Sequence, residues 1–76
     1  MSFLLPQSRA GTVLRVRPVD LHGDRYVDLV VKLDDVPGAP ATGRLAALEC
    51  PAGLTEGERV VVRFTMGVMV GIARAT

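Results

Sequence analysis

The sequence predicts a small all-β domain, and three observations lead there. Residues 12–18, 25–34 and 59–66 alternate apolar and polar side chains at period two and are rich in Val, as half-buried strands are. No window carries the three-to-four spacing of an amphipathic helix. Gly and Pro cluster between the alternating runs, where turns are required. Five short strands in this length predict a reduced, closed or nearly closed barrel with at most one short helical turn, because closure removes sticky edges.

Residues 1–10 read as an N-terminal arm, and residues 11–76 as the single domain. The first strand, 12–18, puts Leu14 and Val16 on one face and Arg15 and Arg17 on the other. A loop over 20–24 follows, with Gly23 free to take positive φ. In the second strand, Val27, Leu29, Val31 and Leu33 oppose Tyr26, Asp28, Val30, Lys32 and Asp34. Pro37-Gly38 and Pro40 lie in a longer connection. The third strand, 42–50, opens near Gly43 and is stopped by Pro51. Residues 51–58 suit one helical turn around Leu54, then a turn at Glu56-Gly57. The fourth strand points Val60, Val62, Phe64 and Met66 inward, with Arg59, Val61, Arg63 and Thr65 outward. Thr65-Met66-Gly67 either turns a tight hairpin or bends one long strand. In the last strand Val68, Val70 and Ile72 alternate with Met69, Gly71 and Ala73. The long connection after the second strand and the Gly-x-x-Val step into the fourth favour an OB-like barrel over an SH3-like one.

Composition narrows the function. A chain of 76 residues with 49% apolar and 22% charged residues is globular, but leaves little room for a deep catalytic pocket. Nine basic against eight acidic residues give a net charge of +1, too weak a field for a generic polyanion binder. Eight of the basic residues are Arg, with Lys32 the only Lys. Cys50 stands alone and has no disulfide partner within the chain, which fits a reducing cytoplasm. No run approaches the roughly 20 apolar residues of a membrane helix, so no membrane role is expected.

Two stretches resemble known small barrels. Gly11-Thr12-Val13, the segment LTEGERVVVRF over 54–64 and the tail Val68-Met69-Val70-Gly71 are similar to molybdate-binding Mop/TOBE domains. The first strand and the Gly-x-x-Val step also resemble HypC-type hydrogenase-maturation chaperones. The Mop/TOBE resemblance implies oxyanion binding, with Arg63-Phe64-Thr65 and Ser8-Arg9 standing where the family holds its ligand. The chaperone resemblance implies a cysteine directly after the initiator Met, and Ser2 stands there instead.

The residues suggest a binding module and not an enzyme. His22, flanked by Asp20 and Asp24, could only be a metal or base site with further ligands, and reads as a polar turn. Ser2 and Ser8, the only serines, lie in the arm with no base in reach by sequence. No cofactor or metal is expected. In an OB-type barrel the first and fourth strands are neighbours, which would bring Arg15, Arg17, Arg59 and Arg63 onto one outer face. Guanidinium groups clasp phosphate and stack on bases. Single-stranded DNA or RNA is therefore the leading partner, with Lys32, Arg44 and Tyr26 completing the surface. The alternative is a protein-interaction or oligomerising adaptor that uses Phe3, Leu4, Leu5, Met66 and Met69. Association would bury apolar surface worth roughly 25 cal/mol per Å².

Overall fold

The computed structural model describes residues 7–75. Five strands form one antiparallel sheet: β1 (Gln7–Leu21), β2 (Asp24–Leu33), β3 (Ala41–Ala46), β4 (Arg59–Thr65) and β5 (Val68–Arg74), in the order β3-β2-β1-β4-β5. One 3-10 turn, Ala47–Glu49, follows β3. The fold is all-β, as the alternation predicts.

β1 begins at Gln7, so the last four residues expected to be an arm are strand; Phe3, Leu4 and Leu5 lie outside the described residues. β1 serves two partners. Gln7 to Thr12 pair with β4, and Gly11 to Leu21 pair with β2. The two ladders overlap at Gly11 and Thr12, and at Gly11 a Cβ would lie 2.6 Å from the Lys32 carbonyl oxygen. Only a residue without a side chain fits a backbone crossing so close.

A bulge between Val13 and Arg15 alters the inward set. Leu14, expected inside, is the extra residue and is exposed, while Val13 is buried. A second bulge, opposite Arg63/Phe64, makes Val70 the extra residue of β5. Beyond it the alternation changes phase, so Met69 joins Ile72 in the core while Val68 and Val70 face solvent. Period-two reading fails at both places because a bulge inserts one residue into the ladder. The remaining core follows the alternation: Leu29, Val31, Val60 and Val62 are fully buried, with Leu33, Leu45 and Leu54 around them.

Two hairpins are tight. His22 and Gly23 have φ of 52° and 85°, and Met66 and Gly67 have 51° and 77°. Positive φ at both central residues belongs to type I′ turns, whose twist matches that of paired strands. Met66, expected inward, is thus an exposed turn residue. The helical turn falls on Ala47–Glu49 and not around Leu54, and β3 ends at Ala46. Pro51 has no N–H to extend the turn, and residues 51–58 instead make two glycine turns at Gly53 and Gly57.

The expected sealing of the barrel is not met. No hydrogen-bonded ladder joins β3 to β5 among the described residues. The two strands pack by side chain instead: Met69 lies so near Gly43 that a Cβ there would sit 2.7 Å from it. A thioether fills the seam that backbone pairing would otherwise close.

Candidate nucleic-acid interface

The outer face of β1, β2 and β3 is built by register. Arg17 stands opposite Asp28, and Asp28 opposite Arg44. One step along, Arg15 faces Val30, which faces Thr42. Arg15, Arg17, Asp28, Val30, Thr42 and Arg44 line a shallow depression of about 480 Å³. Three guanidinium groups meet a single carboxylate there. Tyr26 lies one step further along the same face, between Val19 and Ala46.

That carboxylate is committed. Arg44 donates from Nε and Nη2 to the two oxygens of Asp28 at 2.6 and 2.9 Å. This fork holds the Asp28 carboxyl below its ordinary range, aided by the charge of Arg17, and raises Arg44. Arg15 and Arg17 have no acidic side chain within ion-pair distance among the described residues.

The other expected cations are placed differently. Arg59 faces Thr12 across the β1–β4 ladder, donates to its hydroxyl at 2.9 Å and forks onto Asp34. That fork lowers the Asp34 carboxyl, with a smaller contribution from nearby Lys32. Arg63 faces Ser8, and its guanidinium lies across the bare Cα of Gly71. The four-arginine stripe therefore divides into Arg15 with Arg17 over β2–β3, and Arg59 with Arg63 beside the start of β1. The cause is the length of β1: residues 7–12 flank β4, whereas residues 13–21 lie beyond it.

No family model, curated protein or solved structure matches this chain.

The remaining candidates are quickly placed. His22 is an exposed turn residue, and no group of three or more His, Cys, Asp or Glu converges among the described residues. Met69, expected at an interface, is 4% exposed and belongs to the core, while Met66 is exposed at a hairpin tip. Burial, then the charge of Glu49, pushes the Cys50 thiol up and away from the reactive thiolate. Two features had no signal in the sequence. Asp28 becomes the partner of Arg44 only once the β2–β3 register is known. Leu48, on the 3-10 turn, is 99% exposed beside an apolar groove of about 700 Å³.

Proposed function

We propose that this domain is a non-enzymatic, OB-like binding module that takes single-stranded nucleic acid across the outer face of β1, β2 and β3. The observation that carries the reading is the pairing pattern there. Arg15 and Arg17 are exposed and unpaired among the described residues, while the one carboxylate beside them is already bonded to Arg44. Two open guanidinium groups one register step apart can follow successive phosphates of a strand. Tyr26 offers one ring on the same face for stacking, so backbone charge supplies most of the affinity and sequence preference is slight. Lys32 adds a cation on β2, whereas Arg59, forked onto Asp34, and Arg63, lying over Gly71, contribute less.

Charge reversal tests this. With a labelled oligothymidylate at low salt, Arg15→Glu combined with Arg17→Glu should weaken binding by about tenfold or more. Arg63→Gln should change it much less, since that side chain is engaged over Gly71. Equal affinity of the wild type and the double variant would overturn the reading.

A further inference from the structure

Among the described residues Leu48 is the most exposed large apolar side chain, and it stands on a turn between two depressions that it helps to line. The larger, about 700 Å³, runs over Val16, Pro18, Val27, Pro51 and Leu54, and the smaller, about 380 Å³, over Gly23, Ala46 and Ala47. Knob and hollow thus lie on one continuous patch. A surface carrying both halves of a fit is what a twofold interface requires, because each copy gives the other the same contact. The charges at the rim also suit a second copy. Arg25 lines both depressions, with Asp20 at one and Asp24 at the other, and its pairing to Asp20 is loose, at 3.9 Å between exposed side chains. In a head-to-head pair it can exchange that partner for a carboxylate across the interface.

We propose that two copies of this chain associate through this patch, each seating its Leu48 in the other's apolar groove. The contact leaves Arg15 and Arg17 clear but shares Tyr26, which lines both depressions; mass is read without nucleic acid, so failure of the dimer and failure of nucleic-acid binding are told apart. The surface is also not the one composed of residues 3–5, Met66 and Met69.

The test is mass against concentration, by sedimentation equilibrium from about 1 μM to about 1 mM. The wild type should pass from monomer to dimer in this range. Leu48→Asp should remain monomeric with an unchanged circular dichroism spectrum, and Leu48→Met should keep the dimer. Cys50 lines the same groove, so its alkylation should slow several-fold as wild-type dimer forms, and should not slow in Leu48→Asp. A wild type that stays monomeric throughout, or a dimer that survives Leu48→Asp, would overturn the proposal; the first result leaves the patch to a different protein.

Discussion

At Gly43 and Gly11 the fold depends on the absence of a side chain, and the two positions differ in what lies opposite. A methyl group at 43 would press on Met69, and at 11 on the Lys32 backbone, which cannot swing away. Gly43→Ala and Gly11→Ala should each destabilise by about 1–3 kcal/mol in urea unfolding. Gly71→Ala should cost less, because the atoms it meets belong to the flexible Arg63 head. Met66 is the converse case, a bulky residue held at φ 51° in a type I′ turn. Met66→Asn should stabilise by about 0.5–1 kcal/mol and raise the melting temperature, since Asn-Gly is the preferred pair there. The sequence shows Gly67 but not whether Met66 turns or continues the strand. Likewise the alternation places Val60, Leu29, Arg15 and Arg17 correctly yet exchanges Leu14 for Val13, because the inserted residue shifts the side chains before it by a face relative to those after it.

Among the elements, three surface ion pairs brace the sheet, two along strands that are already paired and one between the end of β2 and β4, which share no ladder among the described residues. Asp28 joins β2 to β3, Asp34 joins the end of β2 to β4, and Glu58 joins the start of β4 to Arg74 of β5. All three carboxyls are held below their ordinary range by the arginine that bonds them, and Glu58 also accepts the Thr55 N–H. A lowered folded value means the contribution is fully present above the unfolded pKa, about 4, and is lost as pH falls through the folded value. Melting temperature should therefore hold above pH about 5 and decline below about 4. The triple variant Asp28→Asn, Asp34→Asn, Glu58→Gln should show a shallower acid limb. Parallel curves for variant and wild type would contradict the assignment. The existence of β2 and β4 was legible because both alternate without interruption over most of their length. The alternation carries the third strand to Cys50, whereas β3 ends at Ala46, since Ala47 and Leu48 keep the pattern while the backbone has already turned.

On the scale of the whole molecule, β1 decides the arrangement of charge. It is long enough to bind β4 with one half and β2 with the other, so arginines close in sequence pattern separate in space. Each outward position could be read from alternation, but their neighbours across strands depend on register, which Gly11 and the Leu14 bulge set. Arg15 and Arg17 leave an open electrostatic face over β1–β3, at which the proposed function has phosphates neutralised. The direct measurement is the affinity of the wild type for single-stranded oligothymidylate as salt rises from about 50 to about 200 mM. Three contacts, from Arg15, Arg17 and Lys32, predict a log–log slope of about −2. A slope near zero, or no binding at the lowest salt, would contradict it.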